Sequence, residues 1–365
     1  MMQRMSQPLR LGIIGCGNIS SLYADAAQYF PVLDFRACSD LEPSRAQAFA
    51  QRYGLEAMDS ADLLAHPDID AVVNLTVPQA HAEVSRAALL AGKHVYSEKP
   101  LATTLADGQE LLELAAQQQR RLACAPSTFL GAAVQTARYA IDQGMIGQPV
   151  AANAVMLSHG MEHWHPNPAF FYQAGAGPLM DMGPYYLAAL LNLLGPMQRV
   201  TASARISFPE RSGKQGSFPV TTPTHIAAVL DCVAGPVVSL VTSFDVWHSN
   251  IPKFEIYGSE GSLSIPAPNM FYGPVLLRSA QADDWQELPL VHSHDSLERS
   301  WGIALADFAY AIAHDRPHRA SAALGLHALE IMQAILTASS QQQHVLLESR
   351  CERPAALVAG QDVLA

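Results

Sequence analysis

The motif Ser97-Glu98-Lys99-Pro100 contains a lysine that can take part in alcohol chemistry. It follows an apolar run that predicts a strand over His94–Ser97, so Lys99 comes at the carboxyl end of that strand. An ammonium group there can hydrogen-bond a substrate hydroxyl and favour its alkoxide, or it can hold the ring of a nicotinamide. A lysine that is merely solvated is the alternative interpretation.

A second motif, Gly175 to Tyr185, combines an acid with a tyrosine. Pro184 suits the first position of a helix whose leucines follow at helical spacing, so Asp181 and Tyr185 are predicted at the helix start, about one turn apart. A tyrosine so placed can exchange a proton with a reacting oxygen, helped by a nearby cation. Alternatively, Asp181 only caps the helix and Tyr185 only packs.

The segment from His159 to Asn167 contains three histidines, a glutamate and a tryptophan between prolines and glycines. Its spacing matches neither a metalloprotease helix nor a zinc finger, so we predict no metal site. Aromatic and polar groups in such a loop suit a polyhydroxylated substrate, with Trp164 stacked on a sugar face and Glu162 and His165 beside it. A purely structural loop is the alternative.

A glycine-rich turn indicates a bound dinucleotide. The stretch Leu11 to Ser20 predicts a short strand, the turn Gly15-x-Gly17 and the start of a helix, with Ser20 where a third glycine or alanine is usual. Such a turn lets the backbone approach a pyrophosphate. Asp40 follows Gly17 by 23 residues, close to the spacing of a carboxylate that holds an adenosine ribose. The predicted pyrophosphate loop contains Gly12, Gly15, Gly17, Asn18 and Ile19.

The elements around these motifs predict two domains. Strands alternate with helices over residues 1–125, which predicts an α/β domain with a doubly wound parallel sheet, a Rossmann dinucleotide-binding domain. Its first helix is predicted over Ile19–Phe30. Residues 126–365 combine helices with strands of alternating polarity, which predicts a substrate-binding α/β domain with a large, open, mainly antiparallel sheet. The open face of that sheet suits an oligomer interface.

Composition excludes several classes of protein. The net charge of −11 argues against a nucleic-acid partner, which needs a basic face. The five cysteines form no CxxC pair and are expected to be buried, reduced thiols. Met1 to Arg10 has no apolar signal core and no window approaches a membrane span, so we expect a soluble, cytoplasmic protein.

Together these motifs resemble the Gfo/Idh/MocA family of nicotinamide-dependent oxidoreductases, and the resemblance covers nearly the whole chain. The Glu-Lys-Pro tripeptide with a downstream Asp-x-Gly element is its most specific part. The matching positions are Gly12-x-x-Gly15-x-Gly17, Asp40, Thr76-Val77-Pro78 with His81, Glu98-Lys99-Pro100 and Asp181-x-Gly183-x-Tyr185.

The resemblance implies a role for each position. Lys99 matches the catalytic lysine and Asp181 the substrate-site aspartate, while Tyr185 stands where many members have histidine and some have tyrosine. Tyr185 would take the hydroxyl proton as hydride leaves, with Lys99 stabilising the alkoxide. Thr76, Pro78, His81 and Glu98 would help to seat the nicotinamide end of the cofactor. NAD is favoured over NADP because Asp40 would repel a 2′-phosphate.

The predicted function is therefore hydride transfer between a nicotinamide cofactor and a hydroxyl or keto carbon of a sugar, inositol or related polyol. The family implies a homodimer or homotetramer. Two other readings use the same residues: an NAD-dependent lyase or hydrolase that acts through transient oxidation, and a non-catalytic NAD-binding sensor.

Overall fold

The computed structural model describes residues 7–214, 216–294, 296 and 300–360. The chain divides into two compact units: Met1–Gly131 with His294–Leu326 and Gly360–Ala365, and Ala132–Ser293 with His327–Ala359. Met1 to Ser6 belong to the stretch in which the sequence shows no apolar signal core, and they lie outside the described residues. The division differs from the predicted one, because the break follows residue 131 rather than 125 and residues 294–326 return to the first unit.

The first unit is built on a parallel sheet. Its six strands follow the order β3-β2-β1-β4-β5-β6, and every adjacent pair is parallel. Parallel strands need helical crossovers, which confirms the predicted doubly wound fold. The strands are β1 (Leu9–Ile14), β2 (Leu33–Ser39), β3 (Glu56–Ala57), β4 (Ala71–Asn74), β5 (His94–Ser97) and β6 (Leu122–Cys124).

The first unit's helices begin and end largely where local sequence signals predict. Thr104 accepts a hydrogen bond from the backbone N–H of Asp107 at 3.1 Å, and Gly54 takes a left-handed φ of 69° after a helix. The first helix stops at Ala26, short of the predicted Phe30, and the chain continues in turns whose N–H groups bond three residues back, as from Tyr29 to the Ala26 carbonyl. The helices are α1 (Ser20–Ala26), α2 (Pro43–Tyr53), α3 (Ser60–Ala65), α4 (His81–Leu90) and α5 (Leu105–Gln117).

The second unit contains a nine-stranded sheet in the order β16-β15-β14-β13-β7-β12-β11-β8-β17. All its pairs are antiparallel except β7 with β12, so the predicted mainly antiparallel sheet is confirmed. Its strands are β7 (Pro149–Leu157), β8 (Met197–Arg205), β11 (His225–Cys232), β12 (Val237–Ser243), β13 (Phe254–Gly258), β14 (Gly261–Ile265), β15 (Val275–Ser279), β16 (Gln286–Leu288) and β17 (Val345–Leu346). A separate hairpin pairs β9 (Glu210–Gly213) with β10 (Gly216–Pro219).

The structure gives bounds for four more helices within the described residues: α6 (Ala132–Asp142), α7 (Gly177–Leu194), α8 (Ile303–Ala313) and α9 (Ala322–Gln341). The predicted start of α7 at Pro184 is wrong. The helix begins seven residues earlier, with Pro178 in its first turn and Pro184 in its interior. Proline is favoured in the first turn of a helix, where N–H groups have no helical partner, and Pro178 occupies that position. Pro184 has no N–H to donate, so the interior of α7 lacks one helical hydrogen bond there.

Burial explains two sequence features. By length and composition α9 could cross a membrane, but 72% of its apolar window is buried inside the protein, as expected of a core helix. All five cysteines are free and buried, as predicted.

Candidate active site

The glycine turn follows β1 and lies beside the end of β4. Gly15 has a φ of +101°, and a Cβ there would stand 2.6 Å from the carbonyl oxygen of Leu75, so only glycine fits. At Gly17, by contrast, a Cβ would meet nothing within 4 Å. The turn therefore has one glycine that the fold requires and one whose backbone is open to a close approach, which fits a bound pyrophosphate.

Asp40 holds this turn to the end of β2. Its carboxylate accepts hydrogen bonds from the backbone N–H groups of Cys16 (2.8 Å) and Glu42 (2.9 Å). The Arg45 guanidinium also comes within 3.6 Å of Asp40, which sequence spacing did not reveal. A carboxylate has about four acceptor sites, so two N–H bonds leave capacity for a ribose hydroxyl.

The other predicted loop residues differ in exposure. Asn18 is exposed and Ile19 half-buried before α1, so their backbone lies on the accessible side of the turn. Gly12 instead lies inside β1, where a Cβ would stand 2.8 Å from a methyl of Leu63. Gly12 therefore serves the packing of β1 against α3 and does not lie on the surface of the predicted pyrophosphate loop.

His81 joins the ends of two parallel strands. One ring nitrogen lies 2.6 Å from the carbonyl oxygen of Pro100 and the other 3.0 Å from that of Thr76. The Thr76 hydroxyl donates to Asn74 at 2.7 Å, and Pro78 opens a 3₁₀ turn directly before α4. His81, which is 1% exposed, is therefore a buried link between the segments that follow β4 and β5.

Glu98 and Lys99 follow β5, as the sequence predicts. The Glu98 carboxylate accepts a hydrogen bond from the Tyr23 hydroxyl at 2.8 Å and another from the Lys99 backbone N–H at 2.9 Å. Burial, followed by the Glu98 charge, raises the pKa of Tyr23 well above its usual value, so the phenol stays a donor. Glu98 thus orders the backbone that presents Lys99.

In the second unit, α7 carries Asp181 and Tyr185. They are four residues apart, so they lie on one face of the helix, one turn apart. Both are half-buried in a helix whose other accessible residues are only Met180 and Met182. Gly183 lets α7 pack against α9, since a Cβ there would meet the Met332 sulfur at 3.0 Å. The helix buries its apolar face and keeps the acid and the phenol accessible.

The loop from His159 to Asn167 separates its three predicted substrate residues. Glu162 accepts hydrogen bonds from the Tyr172 hydroxyl at 2.6 Å and from Arg211 at 2.9 Å. Trp164 is 56% exposed, and its ring contacts His165, which in turn packs edge-on against Phe171. Of the three, Glu162 alone lines the cavity described next. Within the described residues, no three His, Cys, Asp or Glu side chains cluster as a metal site.

A cavity of about 680 Å³ lies between this loop, the β9–β10 hairpin and Trp247. Its wall includes Arg211, which is 8% exposed and binds Glu162, the Phe244 carbonyl and Asp245. Burial, with the nearby Arg211, lowers the pKa of His159, and the His159 ring stacks on Trp247 at 3.4 Å between centroids. Sequence reasoning missed Arg211 and Trp247 because both are distant in sequence from the loop they contact.

Family models identify the chain. The model of an oxidoreductase family with an NAD-binding Rossmann fold matches residues 9–125, and the Gfo/Idh/MocA C-terminal domain model matches residues 134–264. The chain belongs to the Gfo/Idh/MocA family, and it is an oxidoreductase with an NAD-binding domain. This confirms the resemblance drawn from the motifs.

Curated relatives span almost the same length. The chain is 29% identical to 1,5-anhydro-D-fructose reductase of Ensifer adhaerens, over 93% of this chain and 99% of the reductase. It is 32% identical to dTDP-3,4-didehydro-2,6-dideoxy-alpha-D-glucose 3-reductase of Streptomyces violaceoruber, over 83% and 85%. Among solved structures, apo levoglucosan dehydrogenase matches with a TM-score of 0.85 at 22% identity, covering 94% of this chain and all of the other.

Proposed function

We propose that this protein transfers hydride between NAD and a secondary alcohol or ketone of a sugar, inositol or related polyol. The observation that carries the proposal is the ordered turn after β5, where Glu98 fixes the backbone of Lys99. This turn and the predicted dinucleotide loop follow strands of the same parallel sheet. In open α/β sheets, ligands bind beyond the carboxyl ends of the strands. The named relatives act on sugars and inositol, which supports the substrate class.

Each proposed catalytic residue has one task. When bound, NAD supplies the hydride acceptor. Tyr185, as its phenolate, takes the hydroxyl proton of the alcohol, and the Lys99 ammonium stabilises the alkoxide until its carbon loses hydride and becomes a carbonyl. Asp181, one turn before Tyr185 on α7, orients the substrate hydroxyls. Glu98 and His81 act indirectly, because they hold the backbone that carries Lys99.

The test is a screen of sugars, sugar acids and inositols with NAD and with NADP, followed by absorbance of the reduced nicotinamide. Lys99→Ala and Tyr185→Phe should each lower kcat by about 10²–10⁴-fold, the usual contribution of a positioned acid–base group. Lys253→Ala and Tyr272→Phe, at residues outside the proposed site, are the matched controls. Full activity in both site variants would refute these roles.

The same screen separates the alternative reactions. A dehydrogenase accumulates NADH in step with product, whereas a lyase or hydrolase that oxidises its substrate transiently forms product without net NADH. A sensor binds NAD and converts no substrate.

Cofactor choice is proposed to depend on Asp40, whose charge opposes a 2′-phosphate. Asp40→Ala should reduce the ratio of kcat/KM with NAD to that with NADP by at least about tenfold, because Arg45, 3.6 Å away, then becomes available to a phosphate. An unchanged ratio would show that Asp40 serves only the glycine turn.

We also propose that the protein is cytoplasmic and forms a homodimer or homotetramer through the open face of the nine-stranded sheet. Five buried free thiols fit a reducing compartment, and β11 and β12 expose Val229 and Val237. Light scattering of the purified protein measures the assembly, and a monomer at micromolar concentration would contradict it.

A further inference from the structure

The cavity beside the β9–β10 hairpin has two aromatic walls. Trp247 is 70% exposed and stacks on His159 with an interplanar angle of 15°, so one face of its indole is supported. Phe208 is 49% exposed and has the Arg211 guanidinium 5.1 Å from its ring centroid. Large aromatic surfaces held in place on one side and accessible on the other are suited to stacking on a flat ligand.

Charge in this cavity disfavours an anion. Arg211 is already paired with two carboxylates, Glu162 at 2.9 Å and Asp245 in a shorter contact. The wall itself contains the carboxylates of Glu162 and Glu210 and one further cation, the ammonium of Lys214, whereas Asp245 does not line the cavity. The two carboxylates of the wall balance its two cations, and Asp245 also binds Arg211, so the wall has no excess positive charge and offers many hydrogen-bonding groups. Such a wall suits a neutral ligand rich in hydroxyls more than a phosphate.

The framework behind the walls is rigid. Asp245 accepts a second hydrogen bond, from the Thr224 hydroxyl at 2.7 Å, and Tyr172 holds Glu162 at 2.6 Å. Arg211 also binds the Phe244 carbonyl at 2.8 Å. These buried contacts order the polar groups before any ligand arrives, which reduces the entropy lost on binding.

We propose that this cavity binds a second, neutral sugar ring attached to the ring that reacts. The proposal rests on the proposed function. Asp181 and Tyr185 do not line the cavity, so a ring positioned by them leaves it free. Its volume of about 680 Å³ exceeds what one ring needs and falls in the usual range for ligand pockets of about 300–1,000 Å³. The preferred substrate is therefore a disaccharide or glycoside rather than a free monosaccharide.

Calorimetric titration of the NADH-bound protein tests this without turnover. The probes are glucose with maltose and cellobiose, galactose with lactose, and glucose 6-phosphate as the anion. We expect at least one disaccharide to bind more tightly than its monosaccharide. Phe208→Ala and Trp247→Ala should each lower the affinity for that disaccharide by about three- to tenfold and the affinity for the monosaccharide by less than about twofold. Phe170→Ala, at a comparably exposed phenylalanine outside the cavity, is the control.

Three results would overturn the proposal. If no disaccharide binds more tightly than its monosaccharide, the cavity holds no second ring. If the variants lower the affinity for both sugars equally, the cavity holds the reacting ring instead. If glucose 6-phosphate binds best and Lys214→Ala abolishes that preference, it is an anion site. Because binding is measured without catalysis, loss of disaccharide affinity in the variants supports the second-ring site even if no NADH is ever formed.

Discussion

At the scale of single residues, the two turn glycines have separable roles. Gly15→Ala should destabilise the protein by at least about 1–3 kcal/mol, because it forces a residue with a Cβ into φ +101° against the Leu75 carbonyl. Gly17→Ala has open space around its Cβ and should fold normally, yet it should weaken NAD binding by obstructing the close backbone approach. Denaturant unfolding and NADH fluorescence titration measure the two effects.

The comparison between these variants makes the result interpretable. Gly54→Ala, a left-handed glycine after α2 with no atom near its Cβ, controls for backbone strain alone. Equal NAD affinity in wild type and Gly17→Ala would mean that the pyrophosphate does not pass over this residue.

The positions of several candidate residues in the first unit could be predicted because short motifs place them at strand ends. Gly15, Asp40 and Glu98 fall where their spacing places them, since each follows a strand whose end the sequence marks. Arg211 was not predictable, because it reaches Glu162 across 49 residues and its hairpin shows no alternating polarity. No local pattern encodes a partner at that distance.

At the scale of elements, one buried carboxylate anchors the segment that follows α8. Asp307 is fully buried and accepts hydrogen bonds from the Arg316 side chain (2.9 Å) and from the backbone N–H of Arg319 (2.7 Å), while the Arg319 guanidinium also contacts it. Asp307→Asn should lower the free energy of unfolding by about 3 kcal/mol, because it removes the buried negative charge that both guanidinium groups contact. Denaturant titration measures the loss.

An exposed acid on the same segment provides the control. Asp315 pairs with Arg121 at 2.8 Å but is 99% exposed, so Asp315→Asn should cost less than about 1 kcal/mol. If the two variants lose the same stability, the buried network is not what holds this segment.

Elements were easier to predict in kind than in extent. The alternation of strands and helices in residues 1–125 was predicted, but the short elements β3 and α3 were not, and α7 starts at Gly177 rather than at Pro184. Proline is favoured at a helix start, but two prolines, Pro178 and Pro184, compete for that role, and local sequence does not rank them. The short β9–β10 hairpin was missed because Glu210–Gly213 is polar throughout.

At the scale of the whole molecule, buried histidines make stability depend on pH. Burial lowers the pKa of His327 to about 4, with Glu330 opposing and Arg350 reinforcing the shift, and burial also lowers that of His94 to about 4. An unfolded histidine has a pKa of about 6.5, so between pH 6.5 and 4 the unfolded chain binds protons that the folded chain does not. The free energy of unfolding should therefore fall as pH falls through this window.

For His327 alone, the expected loss between pH 6.5 and pH 5 is about 2 kcal/mol. Urea titrations at several pH values give the slope, which His327→Gln should flatten and the exposed His314→Gln should leave unchanged. A His327→Gln slope identical to that of wild type would show that other groups cause the pH dependence.

The division into units was harder to predict than either sheet. Residues 294–326 belong to the first unit, although they follow every strand of the second unit except β17. Cys124 donates its backbone N–H to the Ala320 carbonyl at 3.0 Å, and Ser127 donates its hydroxyl to the Trp301 carbonyl at 2.9 Å. The sequence gives no local signal that residues 294–326 pack with the first unit, since helices α8 and α9 follow the sheet without a change in composition.

The place of β7 in its sheet has a consequence for how the protein folds. β12 and β13 are consecutive in the chain, yet β7 lies between them, parallel to one and antiparallel to the other. Local pairs such as β11 with β12 and β13 with β14 close short loops, whereas β7 pairs only with strands some 80 to 100 residues away, and such distant pairing is slow. Since His159 follows β7 directly, its stacking on Trp247 should be regained last during refolding.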